Sequence, residues 1–177
     1  MKKSQIRKKI FQLRKKNYHK NLLIDFEKLS IFLKQKKTIG GYYPYNYEID
    51  TIKILKELEK KKFKISLPKI KKNNQMNFYS WSSHDPLMIN HLGIPEPISK
   101  KIVYPEILLV PLVSFDDQLN RIGYGGGYYD RYLAKISKKK KIFKIGLAYS
   151  FQKIKKIPIN ENDIKLDCII TEKEHFK

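Results

Sequence analysis

Between Arg121 and Arg131 the chain sets four glycines, Gly123, Gly125, Gly126 and Gly127, among three tyrosines, Tyr124, Tyr128 and Tyr129. So bare a backbone has a chemical use. Glycine enters backbone conformations that cost other residues about 1–2 kcal/mol, and it lets a ligand approach main-chain amides closely. Several N–H groups in one short loop can therefore cradle an anion such as a phosphate. Asp130 follows at once. A carboxylate beside bound phosphates suits magnesium, which takes one or two carboxylates together with phosphate oxygens and water. The plainer readings are a tight turn with packed tyrosines and, for Asp130, a complement to a helix dipole. A P-loop is excluded because no lysine followed by a hydroxyl residue occurs here, and the dinucleotide fingerprint would need glycine where Tyr128 stands.

Such a loop needs a scaffold, and the flanking patterns supply one. "ILLVPLVSF" (107–115) is a near-continuous apolar run, the mark of a strand buried on both faces of a mostly parallel sheet, and "YYDRYLAKI" (128–136) has helical spacing. The loop thus joins a buried strand to a helix, where open α/β sheets bind ligands. Upstream, Ile6, Ile10 and Leu13 predict an amphipathic first helix, and Leu22, Phe26, Leu29 and Leu33 predict a second over 22–36. "TIGGYYP" (38–44) reads as a strand in which Gly40 and Gly41 mark either a bulge or a close backbone approach. "EIDTIKILKELEKKK" (48–62) predicts a helix capped by Asp50 or Thr51, with Ile52, Leu55 and Leu58 inward. "FKISLP" and "MNFYSW" read as strands around the turn-prone "KIKKNNQ"; the proline-rich 82–106 segment reads as a long surface loop, with Trp81 packed beneath it. "IFKIGLAY" and "DCIIT" add two strands. Strands alternating with helices predict an α/β layered architecture, and no internal repeat or linker divides residues 1–177, so one domain is expected.

The whole chain narrows the function classes. With 177 residues and 41% hydrophobic content it can bury a real core. No apolar run approaches the roughly 20 residues of a membrane span, and no secretory signal pattern is visible. The lone cysteine, Cys168, reads as a small buried hydrophobe in a reducing, cytoplasmic setting. His19, His84, His91 and His175 lack metal-ligand spacing. A formal charge of +21 admits a nucleic-acid reading, with steeply salt-dependent binding. The lysines, however, run through nearly every segment, which argues for compositional bias over a dedicated binding stripe and leaves a general pull on anionic small molecules. An α/β enzyme acting on some other phosphorylated metabolite fits the same features.

The order "SFDDQLNRIGYGGGYYDRYL" (114–133) resembles the 5-formyltetrahydrofolate cyclo-ligase family, also called 5,10-methenyltetrahydrofolate synthetase, whose pattern runs strand, "FD", turn, then R-[IL]-G-x-G-x-G-[YF]-Y-D. "KKSQIR", "EIDT", "DPLMINHLGIPEP" and "IPINENDIKLDCIITE" also match family segments, so the resemblance spans nearly the whole chain. It implies a three-layer α/β/α fold with a mostly parallel central sheet, similar to the NagB/RpiA/CoA-transferase-like architecture. It also implies an ATP- and magnesium-dependent ligase turning 5-formyltetrahydrofolate into 5,10-methenyltetrahydrofolate, ADP and phosphate. Folate and ATP are then the partners, with no membrane and no dedicated nucleic-acid partner; a monomer is the default expectation.

Carried over by position, the resemblance implies ATP contacts from Lys3, Ser4, Gln5, Ile6 and Arg7 and from the loop residues Arg121, Ile122, Gly123, Tyr124, Gly125, Gly126, Gly127, Tyr128 and Tyr129. Arg121 and Tyr128 are implied as catalytic, Tyr43 and Glu48 as folate-binding, and Asp130 and Asp167 as magnesium ligands. Lys3 and Arg7 are four apart and so share one helical face. Some relatives carry a basic residue where this chain has Tyr124 and a lysine where it has Gly126, which would leave phosphoryl charge to Arg121, Lys3, Arg7 and the metal. Many also have glycine in place of Leu119, so the shape of that turn is open.

Overall fold

The computed structural model describes residues 2–18, 24–33 and 38–177. Helix α1, Lys3–Asn17, buries Ile6 and Ile10 as the spacing predicts, and the Gln5 side chain accepts a hydrogen bond from the Lys2 amide at its first turn. Arg14, Lys15 and Lys16 sit in its last turn, where cations complement the negative pole. The second helix is shorter than its periodicity predicts: α2 covers only Phe26–Ser30, capped by Asp25 accepting from the Glu27 amide at 2.9 Å. The Ser30 hydroxyl turns back onto the Glu27 carbonyl at 2.7 Å, a local bond that competes with helix continuation. Residues 22, 23 and 34–36 of the expected helix lie outside the described residues, as does His19.

Strand β1 is Thr38–Gly40 and is followed by α3, Thr51–Lys60, with Asp50 as the cap: its carboxylate accepts from the Ile52 amide at 3.0 Å. Strands β2, Lys64–Lys71, and β3, Gln75–Ser80, form an antiparallel hairpin turning on Asn73 and Asn74, both at positive φ. The 82–106 segment is more ordered than a loop. It holds the hairpin of β4, Leu87–Ile89, and β5, Pro95–Pro97, and the short edge strand β6, Ile102–Val103. Proline is tolerated in β5 because it lies at a sheet edge with a single partner. Glu96 anchors the hairpin from within, accepting from the Ile70 amide and the Asn90 side chain, both at 3.2 Å.

Strand β7, Ile107–Pro111, is buried throughout its four apolar residues. The small hairpin of β8, Ser114–Phe115, and β9, Arg121–Ile122, leads into α4, Tyr128–Ser137. Strands β10, Phe143–Leu147, β11, Cys168–Ile170, and β12, His175–Phe176, complete the chain. Among the described residues the main sheet runs β12-β11-β10-β7-β1-β2-β3-β6. Strands β11, β10, β7, β1 and β2 are mutually parallel; β12 and β3, on either side of them, run the opposite way, and β6 pairs antiparallel with β3.

The alternation along β7 sorts the core into two layers. Ile107 and Leu109 face α2 and α3 through Leu29, Leu55 and Leu58, and Trp81 packs in the same layer; Leu108 and Val110 face α4 through Tyr132, Leu133 and Ile136. Each such apolar side chain contributes about 1.5–3 kcal/mol on burial. This is the expected three-layer α/β/α arrangement. Cys168 is fully buried as a small hydrophobe. A Cβ on Gly40 would stand 2.7 Å from Leu108 Cδ1, and one on Gly41 would stand 2.6 Å from Leu55 Cδ1, so close approach is the reason for this glycine pair. A third cluster, Ile6, Ile10, Val113, Ile122 and Ile157, fixes α1 on the β8–β9 hairpin.

Candidate active site

The parallel strands β1, β2 and β7 all end at one edge of the sheet, and a cavity of about 610 Å³ opens there, within the range that holds a small-molecule ligand. Its walls bring together residues far apart in sequence: Lys3 and Arg7 from α1, Tyr42, Tyr43 and Glu48 after β1, and the loop from Arg121 to Tyr129 with Asp130. Pro68 and Ile70 of β2, Asn90, Leu92 and Ile94 of the β4–β5 hairpin, and Asn160 and Asp163 are also among its lining residues.

The loop is shaped by its own backbone. Gly125 has φ 107° and Gly127, the cap of α4, has φ 66°, both in the region side chains avoid. Ahead of it, the buried Asp116 organises the turn: Oδ1 accepts from the Gln118 and Asn120 amides at 3.0 and 3.1 Å, and Oδ2 from the Asn120 side chain and the Ile157 amide at 3.1 and 3.0 Å. Leu119 sits in the left-handed region, φ 61°, which costs a residue with a side chain more than it costs glycine, so the turn stores strain there.

Three cationic side chains, Lys3, Arg7 and Arg121, line the cavity. Arg7 Nε donates to the Gly123 carbonyl at 2.7 Å, and its guanidinium lies against Gly125. Arg121, its side chain 4% exposed, pairs through Nη2 with Asp130 Oδ1 at 2.6 Å. Lys3 Nζ pairs with Asp163. Burial alone would raise the Asp163 carboxyl, but the Lys3 ammonium and the Asn160 amide outweigh it and hold the group below its ordinary range.

The opposite wall is drier. Glu48 is 5% exposed; Oε2 accepts from the Tyr45 amide at 2.9 Å, while Oε1 has no hydrogen-bond partner. Burial pushes its carboxyl up to about 7, against the pull of Arg14, the Tyr45 amide and the Tyr124 hydroxyl. The hydroxyls of Tyr42 and Tyr129 and Arg121 Nε are also buried without partners. An unpaired buried polar group costs about 1–3 kcal/mol, so four of them around one cavity point to a polar ligand that satisfies them.

Some expected site residues lie elsewhere. Ser4 and Gln5 are exposed on α1, and Ile6 is a core residue; none lines the cavity. Tyr128 lines it, with its hydroxyl donating to Asn74 at 3.2 Å. Asp167 precedes β11 at the amino edge of the parallel strands, where its Oδ2 accepts from the amide and ammonium of Lys144, both at 2.7 Å. The structure does not bring it to the cavity. The carboxylate that arrives beside Asp130 is Asp163, four residues earlier; nothing in "NENDIKLD" distinguishes the two acids before folding. Among the described residues no cluster of three His, Cys, Asp or Glu side chains has the form of a protein-only metal cage. Arg14 was also unmarked in the sequence, although its place seven residues after Arg7 puts it on the same helical face.

A model of the 5-formyltetrahydrofolate cyclo-ligase family matches residues 1–172. The chain belongs to this family. The 5-formyltetrahydrofolate cyclo-ligase of Haemophilus influenzae is 33% identical over 144 residues, 77% of this chain and 76% of its own. The cyclo-ligase of Escherichia coli K12 is 30% identical over 141 residues, 76% and 77% of the two chains. The solved 5,10-methenyltetrahydrofolate synthetase of Aquifex aeolicus superposes with a TM-score of 0.78 at 32% identity, covering 100% of this chain and 93% of that one. The synthetase of Mycoplasma pneumoniae gives 0.74 at 28% identity, covering 97% and 99%. The fold of these synthetases is therefore shared over nearly the whole chain.

Proposed function

We propose that this chain converts 5-formyltetrahydrofolate and ATP into 5,10-methenyltetrahydrofolate, ADP and phosphate, in the cavity between the glycine loop and Glu48. One observation carries the reading: a glycine loop ringed by Lys3, Arg7 and Arg121 faces, across a single cavity, a buried carboxylate with a free oxygen. The first half suits a triphosphate, and the second suits the amino-pyrimidine edge of a pterin, whose N–H groups Glu48 Oε1 would accept.

The chemistry follows from what the substrate lacks. An amide oxygen is a poor leaving group. The formyl oxygen attacks the γ-phosphorus and breaks its bond to ADP; the neighbouring folate nitrogen closes on the activated carbon and gives up its proton, and phosphate leaves carrying the former formyl oxygen and that proton. The protein's share is positioning and charge neutralisation. Loop amides and Arg7 hold the phosphate tail, and Arg121 and Lys3 meet charge on the transferring group. Tyr43 and Tyr128 cover flat surfaces of the ligands.

Asp130 and Asp163 fit magnesium held jointly with phosphate oxygens, since both carboxylates line the phosphate side of the cavity. The ion would supply positive charge against the phosphate oxygens. In the free protein Arg121 and Lys3 neutralise these two acids, and the phosphates give both cations new partners.

Incubation of the purified protein with 5-formyltetrahydrofolate, ATP and magnesium should raise near-ultraviolet absorbance as the methenyl product forms. Absence of product from folded protein overturns the reading.

A further inference from the structure

The chemistry above makes no use of Arg14, although it is 1% exposed. Burying an ion costs several kcal/mol unless partners surround it, so the contacts of this guanidinium indicate what holds it there. Nη2 donates to the Leu112 carbonyl. Nη1 donates to the Tyr124 hydroxyl at 2.6 Å and reaches the Asn46 carbonyl at 3.5 Å, and the guanidinium lies 5.7 Å from the centre of the Tyr124 ring. The Tyr124 hydroxyl in turn donates to the Tyr45 carbonyl at 3.1 Å, and the Tyr45 amide donates to Glu48 Oε2 at 2.9 Å. Hydrogen bonds relayed through the backbone of Tyr45 therefore join the glycine loop to the carboxylate of the opposite wall, with Arg14 as the buried anchor.

We propose that Arg14 is a positioning residue that couples the two halves of the cavity: through Tyr124, Tyr45 and Glu48, seating the nucleotide on the glycine loop and seating the folate against Glu48 each favour the other. The inference rests on the functional reading above and adds a thermodynamic link between its two ligands. Movement of the loop carries Tyr124, and with it the backbone that holds the Glu48 carboxylate. The planar fork suits this role because it serves Leu112 and Tyr124 from two nitrogens at fixed geometry, which an ammonium does not reproduce.

Arg14 also acts on Glu48 by charge. The groups facing Glu48 are Arg14 from α1, the Tyr45 amide, Tyr42 after β1, Tyr124 of the loop and Tyr129 of α4, and Arg14 is the cation among them. It lowers a carboxyl that burial raises. Loss of its charge therefore moves the Glu48 titration upward, whereas replacement by lysine retains the charge and loses the fork.

The test is calorimetric binding of a non-hydrolysable ATP analogue with magnesium, and of 5-formyltetrahydrofolate, each alone and in the presence of the other. Wild type, Arg14→Lys, Arg14→Gln and Tyr124→Phe are compared, with folding checked by circular dichroism. In wild type each ligand should tighten the other by about fivefold or more. Tyr124→Phe, which keeps the ring and removes only the hydroxyl, and Arg14→Lys should both bring that factor close to one. The pH midpoint of folate affinity should stay in place in Arg14→Lys and rise in Arg14→Gln. Wild type binding both ligands independently, or folded Tyr124→Phe retaining full mutual tightening, overturns the inference alone. Wild type binding neither ligand overturns the functional reading instead. Should Arg14→Gln fail to fold, Tyr124→Phe and Arg14→Lys still decide.

Discussion

Arg121 and Asp130 stand nine residues apart in sequence and 2.6 Å apart in space, so the ion pair closes the glycine loop across its mouth. The guanidinium is almost fully buried and the carboxylate partly open to the cavity. The pair thus sets the loop in its receiving shape before any ligand binds.

Arg121→Ala should lower kcat/KM by at least tenfold, about 1.4 kcal/mol of lost transition-state stabilisation. Steady-state kinetics check it, with Arg121→Lys as the companion: retained charge without the fork should recover only part of the loss. Unchanged kinetics in the alanine variant would remove Arg121 from the reaction.

The two candidate acids near the end of the chain separate cleanly. Asp163→Asn should depress kcat/KM by about tenfold or more and raise the magnesium concentration needed for half-maximal rate. Asp167→Asn breaks a partly exposed pair with Lys144 at the far edge of the sheet, costing about 1 kcal/mol of stability with activity nearly intact. Magnesium titrations of both variants decide between them, and the reverse pattern would reinstate Asp167.

Glu48 ties stability to pH. Its folded carboxyl titrates near 7 and the exposed one near 4.5, so the native state holds the extra proton between those values. Stability therefore falls as pH rises through that window. Glu48→Gln should stabilise the ligand-free protein at pH 8 by roughly 2–3 kcal/mol, with the gap closing towards pH 5. The same variant should raise KM for folate. Thermal melts at the two pH values test the first part; a gap independent of pH would refute it.

Gly125→Ala places a side chain at φ 107° beside the Arg7 guanidinium. The strain should move the loop amides out of register and raise KM for ATP by about tenfold, about 1.4 kcal/mol, with a smaller change for folate. Equal effects on both substrates would show that the loop serves them jointly rather than the nucleotide first.

Much of this was legible in the linear chain where a local rule and a tertiary need coincided. The apolar spacing of α1, α3 and α4 predicts helices because one face of each must be buried, and the unbroken run of β7 predicts a strand covered on both sides. The 22–36 pattern misled on length because Leu29 and Leu33 reach the same core from a short helix and the turn after it. The proline-rich 82–106 segment misled because an edge hairpin can place proline where a central strand cannot.

The residues that carry chemistry divide in the same way. The glycine loop and Asp130 announce themselves because glycine freedom and a carboxylate at a helix start are local properties, readable in order, whereas Lys3 and Arg7 stand out only through the family resemblance. The placing of Asp163 rather than Asp167 at the cavity, the burial that raises Glu48, and the anchoring of Tyr124 by Arg14 are distances across segments 32 to 160 residues apart, and only chain packing sets them. Desolvation and hydrogen-bond partnership belong to neighbours in space, so the linear order names the candidate groups and the tertiary fold decides which of them face the ligand.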